Sequence, residues 1–268
     1  MSSSASPKSA VRPVPLALII VLAVGQALFA AYILRLYGVA IAVGQDAWWN
    51  VVLPNLHVGG RGFGNAAMGV HLLAGAIVCL AGPVQLVRLV PSLQGWAPTI
   101  HRWNGRLYVA SAGIVGVAGL AFVLMAGTIG GLAMDLGFGL YGALMLTAAA
   151  QTWRYGRAAD VTAHRTWALR LFVLGASSFL YRVGYGLWAL AAGGLVGHTD
   201  TWDGPLDVVM DFAFYVVPLV VLELALWAGR SDSRLARGVV AAVLGVASPV
   251  IALGTLLVLL NWWLPAIP

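Results

Sequence analysis

The sequence predicts an all-α fold, a polytopic transmembrane helical bundle of about seven spans with its N-terminus in the cytoplasm. Three observations predict it. Hydrophobic residues make up 61% of the chain and charged residues only 9%, against roughly a quarter charged in soluble domains. The mean hydropathy is +0.91. At about 20 apolar residues per crossing, a chain of 268 residues accommodates seven helices with short loops and no separate soluble domain.

Residues 1–13 are Ser-rich and carry Lys8 and Arg12, which predicts a disordered cytoplasmic tail ahead of one transmembrane domain over 14–268. The apolar run from Val14 to about Tyr37 far exceeds the roughly 7–15-residue core of a secretory signal, so it reads as a retained span. Further spans are expected at about 66–90, 104–127, 135–155, 165–192, 206–228 and 239–263. Each can cross about 30 Å of hydrocarbon at about 1.5 Å per residue.

Of the 15 Lys and Arg residues, all but Arg35, Arg61 and Arg182 fall at one set of span ends, while the opposite loops carry Asp46, Asp135, Asp200 and Asp203. Cytoplasmic loops concentrate Lys and Arg, which predicts the basic ends inside, the C-terminus outside and a bacterial inner membrane as location. The net charge of +6 follows from this topology and carries no nucleic-acid signal; the expected partner is the lipid bilayer. The external segment 38–65 contains Trp48, Trp49, Pro54, His57 and a Gly-rich run, and its tryptophans are expected as an interfacial anchor. Cys79 is the only cysteine, which excludes an intrachain disulfide and cysteine metal motifs and predicts a small buried hydrophobe.

Ionisable groups within spans are costly and therefore informative. His71, Arg182, Tyr185 and Asp211 are expected in the outer half of the bilayer. His101, His164 and Glu223 are expected at the cytoplasmic side, with about 27 Å of helix separating His164 from Arg182. On the fifth span His164, Ala168, Leu171, Gly175, Ser178, Arg182 and Tyr185 follow a 3–4 spacing and share an inward face. Glycine follows two histidines one turn later, in His71-Leu-Leu-Ala-Gly75 and His101-Arg-Trp-Asn-Gly105. That pattern suits either a ligand recess or close helix packing. His101-Arg102-Trp103 and His164-Arg165-Thr-Trp167 each open a helix, after Pro98-Thr99 and Asp160 respectively. A helix N-terminus disfavours imidazolium, leaving neutral ligands for a metal, and Arg102 and Arg165 suit haem propionates or lipid phosphates equally.

His71, Gly82-Pro83-Val-Gln85, His101-Arg102-Trp-Asn-Gly105-Arg106-Leu-Tyr108, His164-Arg165-Thr-Trp167-Ala-Leu-Arg170 and Tyr181-Arg182 together resemble a bacterial membrane-protein family known as domain of unknown function 2306. The resemblance covers about residues 66–190 and implies a multi-span membrane domain without a stated activity. A looser similarity links the chain to ascorbate-reducible b-type membrane cytochromes, which hold haem between helices through paired histidines. Two haems would need four histidines on four central helices, and the fourth span here has none. The economical expectation is one haem b between His101 and His164, with His71 outside it.

Three functions compete on these residues. One is a b-type haem electron-transfer protein working with a redox partner or quinone. Another is a transporter or small-molecule- or lipid-binding protein without redox cofactor, using the outer and inner polar sets. In the third, Arg182 and Asp211 merely lock the fifth and sixth spans together. No Walker loop, Rossmann glycine pattern, His-Glu-x-x-His or Gly-x-Ser-x-Gly elbow is present, which argues against soluble-type enzyme chemistry.

Overall fold

The computed structural model describes residues 16–51, 54–86 and 97–266, and among these the chain is helical without any strand. Seven long helices follow in order: α1 Leu16–Val43, α2 Gly62–Val84, α3 Ala97–Ala126, α4 Gly131–Arg157, α5 Val161–Ala192, α6 Pro205–Arg230 and α7 Arg234–Ala266. They match the seven expected spans in number and order. The expected tail, the start at Val14, Lys8, Arg12, Arg88 and the last residues of the second span lie outside the described residues.

Two boundaries differ from expectation for local reasons. α1 continues past Tyr37 to Val43, where Gly44 at φ 68° terminates it in the left-handed conformation open to glycine. α3 begins at Ala97 rather than 104, so His101 sits one turn inside the helix. α5 starts as expected, with the Asp160 side chain accepting from the Ala163 amide at 2.9 Å.

Six of these helices are long and apolar enough to cross a membrane; α5 carries Arg182, two serines and two tyrosines in its second half and is less apolar. The packing explains how that is tolerated. α5 is flanked by α1, α2, α4, α6 and α7 and buries Leu171, Ser177 and Phe179 completely. The middle of α5 is enclosed, while large apolar side chains are exposed at its two ends, at Val161 and Leu190, and along the other helices, with Leu124 82% exposed and Leu235 78% exposed. Such exposure is what an apolar solvent permits.

Close helix approach rests on small residues. A Cβ at Gly254 would lie 2.6 Å from Val183 Cγ1, and one at Gly186 would lie 2.7 Å from Val258 Cγ2, so α5 and α7 cross almost backbone to backbone. Short connectors make successive helices antiparallel. The starts of α3, α5 and α7 therefore gather with the ends of α2, α4 and α6 at one basic end. The opposite end holds the loop from Gly193 to Gly204.

Trp49 corrects one expectation. It is only 4% exposed, edge-on to Tyr37 and His57, with its ring 3.0 Å from where a Cβ at Gly69 would be. The segment after α1 folds back over α2, making Trp49 a core residue instead of a bilayer anchor. Cys79 is buried as expected.

Candidate functional site

At the basic end, α3 and α5 stand diagonally, with α2 and α4 packed against both. Each contributes one histidine to the gap. The His101 and His164 rings are 6.3 Å apart between centroids and nearly perpendicular, at 87°. His164 Nδ1 lies 2.9 Å from the Thr152 carbonyl oxygen. That oxygen can only accept, so Nδ1 carries the hydrogen and Nε2 retains a lone pair. Gly156 makes the position possible, since a Cβ there would come within 3.1 Å of His164 Nδ1.

Tyr108 closes the gap above the histidines. Its hydroxyl donates to the Leu171 carbonyl at 3.0 Å, and a Cβ at Gly175 would lie 2.6 Å from that hydroxyl. From His101 to Tyr108 is about 10 Å of helix. Both histidines lie near the basic end, where Arg102 and Arg165 are exposed.

Several expected features resolve differently. The space at Gly105 is taken by Gln85, whose Oε1 would be 3.4 Å from a Cβ there, so this glycine serves helix packing. Glu223 does not approach the histidines. Arg170 Nε and Nη2 donate to its two carboxylate oxygens at 2.6 and 3.0 Å, and the same guanidinium lies 4.5 Å over Trp167. No group of three His, Cys, Asp or Glu that could hold a metal ion occurs among the described residues.

At the opposite end the structure assembles a cluster only partly visible in sequence. Asp207, in the first turn of α6, is fully buried. Its Oδ1 accepts from the Tyr185 hydroxyl at 2.6 Å and from His198 Nδ1 at 2.7 Å. Its Oδ2 accepts from the Thr199 and Gly204 amides, each at 3.1 Å. One turn deeper lies Asp211, 1% exposed, whose Oδ1 accepts from the Tyr181 hydroxyl at 3.3 Å. The two tyrosine hydroxyls are 3.4 Å apart, and Trp202 covers the group with its ring 4.8 Å from that of His198.

Tyr185 and Asp211 are therefore brought together, but Arg182 and His71 are not part of the cluster. Arg182 turns to the other side of α5, where its Nη1 donates to the Ser178 carbonyl at 2.8 Å and its guanidinium lies 4.6 Å over Phe29. The expected Arg182–Asp211 lock is not formed. Positions 182 and 211 sit on faces whose neighbours are α1 and α4 respectively. His71 places Nδ1 3.0 Å from the Val115 carbonyl oxygen against the bare backbone of Gly119, so it joins α2 to α3. Sequence reasoning missed His198 and Asp207. The run Gly-His-Thr-Asp-Thr-Trp-Asp-Gly-Pro-Leu-Asp, with a glycine-proline helix start three residues before an acid, was the available signal.

No curated protein and no solved structure matches the chain. The family described as "Predicted membrane protein (DUF2306)" matches residues 68–226. This extends past the motif-bearing stretch through α6, and so spans both ends of the bundle described above. The match covers more than half of the sequence, and the chain belongs to this family of membrane proteins.

Proposed function

We propose that this integral membrane protein is a redox protein that holds one haem b between His101 and His164. The supporting observation is the imidazole pair. The two rings lie 6.3 Å apart between centroids, a separation at which both imidazoles could ligate one metal ion with metal–nitrogen bonds of about 2.0–2.1 Å. The absence of a third protein ligand among the described residues suits a macrocycle that brings its own four nitrogens, whereas a bare ion would be left under-coordinated.

Bound haem supplies one-electron chemistry. The chain's residues do the rest. The Thr152 carbonyl fixes the His164 tautomer and raises its basicity as a ligand. Gly156 leaves room for the ring, and Tyr108 seals the gap from the bundle interior. Arg102 and Arg165 offer charge to carboxylates at the mouth. The Lys and Arg bias supports a cytoplasmic mouth, in keeping with a bacterial inner membrane as the protein's location.

The test is a titration of haem-free, full-length protein with hemin in detergent. A saturable Soret change at one haem per chain, lost in His101→Ala and in His164→Ala and kept in His71→Ala, is expected. A change that is unsaturable, or indifferent to both histidines, overturns the reading.

A groove of about 540 Å³ between α4 and α6 favours a second reading, a lipid or quinone seat. Its wall is apolar along Leu144, Leu219 and Val220, with Glu223 and Arg230 at the basic end, which matches an amphipathic molecule with its polar head at the interface. Lipid analysis of the purified protein before and after Leu219→Trp checks this. A bound lipid or quinone lost in the variant supports it, and an unchanged profile rejects it.

A further inference from the structure

We propose that Asp211 is a proton-binding site inside the membrane, in exchange with the acidic end of the bundle through Tyr181, Tyr185, Asp207 and His198. Each tyrosine hydroxyl has one hydrogen to give. With Tyr181 donating to Asp211 and Tyr185 donating to Asp207, the 3.4 Å contact between the two hydroxyls is an oxygen facing an oxygen with no hydrogen between them.

A proton on Asp211 resolves this. The carboxyl then donates from Oδ1 to the Tyr181 oxygen, Tyr181 donates to the Tyr185 oxygen, and Tyr185 donates to Asp207, over 3.3, 3.4 and 2.6 Å. Every link then has one hydrogen, all pointing the same way. The two acids are also unequally supported. Asp207 receives two side-chain and two backbone donors, as an ionised carboxylate requires. Asp211 Oδ2 is buried with no partner. A neutral carbonyl tolerates that position far better than a charge does.

Among the described residues no cation faces the Asp211 carboxyl. α5 presents Tyr181 and Tyr185, and the 193–204 loop presents His198 behind Asp207. α6 itself presents Tyr215, whose hydroxyl is also buried without a partner. α4 presents Gly137, where a Cβ would press to 3.1 Å from Asp211 Cβ, and Phe138; its Tyr141 meets the site through the Phe214 and Tyr215 rings and donates its hydroxyl hydrogen to the Leu174 carbonyl. Arg182 points away. A proton leaves along the same chain, in the direction in which its bonds are donated. Tyr185 passes its hydrogen to Asp207, Tyr181 passes its hydrogen to Tyr185, and Asp211 passes its proton to Tyr181. Asp207 then hands the proton to His198 Nδ1 when the ring is in its Nε2–H tautomer with Nδ1 bare, and the imidazolium so formed releases its Nε2 proton to water, which leaves Nδ1–H donating to the ionised Asp207.

The experiment is infrared spectroscopy of the full-length protein in lipid nanodiscs, with aspartate carrying carboxyl ¹³C so that no variant need fold. A protonated-carboxyl C=O band at neutral pH that shifts with the label and is missing from Asp211→Asn is expected. Tyr181→Phe and Tyr185→Phe should keep the band and slow its deuterium exchange by roughly tenfold or more, the effect of losing one link in a buried network. A label-sensitive band that is absent at neutral pH in wild type overturns the proposal. So does exchange equally fast in wild type and both tyrosine variants.

Discussion

Tyr185 donates to Asp207 Oδ1 across 2.6 Å, and this bond ties the last turns of α5 to the first turn of α6. Asp207 also receives the Thr199 and Gly204 amides, so a single carboxylate organises the whole connecting loop. Removing it leaves four donors buried or misdirected.

Asp207→Ala is therefore expected to cost roughly 3 kcal/mol, since each stranded buried donor costs about 1–3 kcal/mol and neighbours only partly re-pair. Tyr185→Phe, which strands none of the backbone amides, should cost about 1 kcal/mol. Thermal unfolding of the detergent-solubilised protein measures both. Equal losses for the two variants would contradict the central place given to the carboxylate.

Charge reversal distinguishes the observed ion pair from the one expected from sequence. Arg170→Glu with Glu223→Arg should recover most of the stability that either single change removes. Because the Glu223 side chain is 45% exposed, the pair is worth about 1 kcal/mol or less. The same exchange at Arg182 and Asp211 should recover nothing, because the two groups face different helices. Rescue at 182/211 in a thermal-shift double-mutant cycle would restore the interhelical lock.

Outside the spans, the Thr201 and Thr199 hydroxyls donate to Asp203 Oδ1, each over 2.7 Å, and hold its carboxyl below the usual carboxylate range. A depressed folded value stabilises above the unfolded pKa, and that contribution is lost as pH falls through the folded value. Amide protection in residues 199–204, measured against the intrinsic exchange rate at each pH, should thus fall only in acid, below roughly pH 4. Asp203→Asn should abolish that acid dependence; an identical acid profile in the variant would refute it.

Glycine substitutions give a graded series. Gly175→Ala sets a methyl against the Tyr108 hydroxyl at 2.6 Å and Val78 at 3.1 Å, which should break the bond to Leu171 and cost about 1–3 kcal/mol. Gly238→Ala meets nothing within 4 Å and should be neutral or slightly stabilising through helix propensity. Thermal shifts for the pair check the ranking.

The helices were legible in the sequence because each apolar run is long enough to have one reading in a bilayer, and the basic ends sorted the polar residues by depth. His101 and His164 were found because each opens a helix at the same end. The misses share one cause. Periodicity on α5 puts Arg182 and Tyr185 on a common inward face, but a helix flanked by five others has several inward faces, and Arg182 took the one toward Phe29. His198 lies in a loop and Asp207 in the helix turn that follows it, held together by hydrogen bonds to the Asp207 and Asp203 carboxylates, and no apolar period signals that. Gly105 and Gly119 show that the space beside a histidine is decided by the neighbouring helix, not by the glycine one turn away.

The most direct test is the absorption spectrum of the full-length protein purified from cells supplied with haem precursor, recorded oxidised and after dithionite. The account predicts a Soret band with sharp α and β bands on reduction, as for six-coordinate bis-histidine haem, and their loss in both His101→Ala and His164→Ala. A folded protein without a Soret band, or one whose spectrum survives both substitutions, would contradict it.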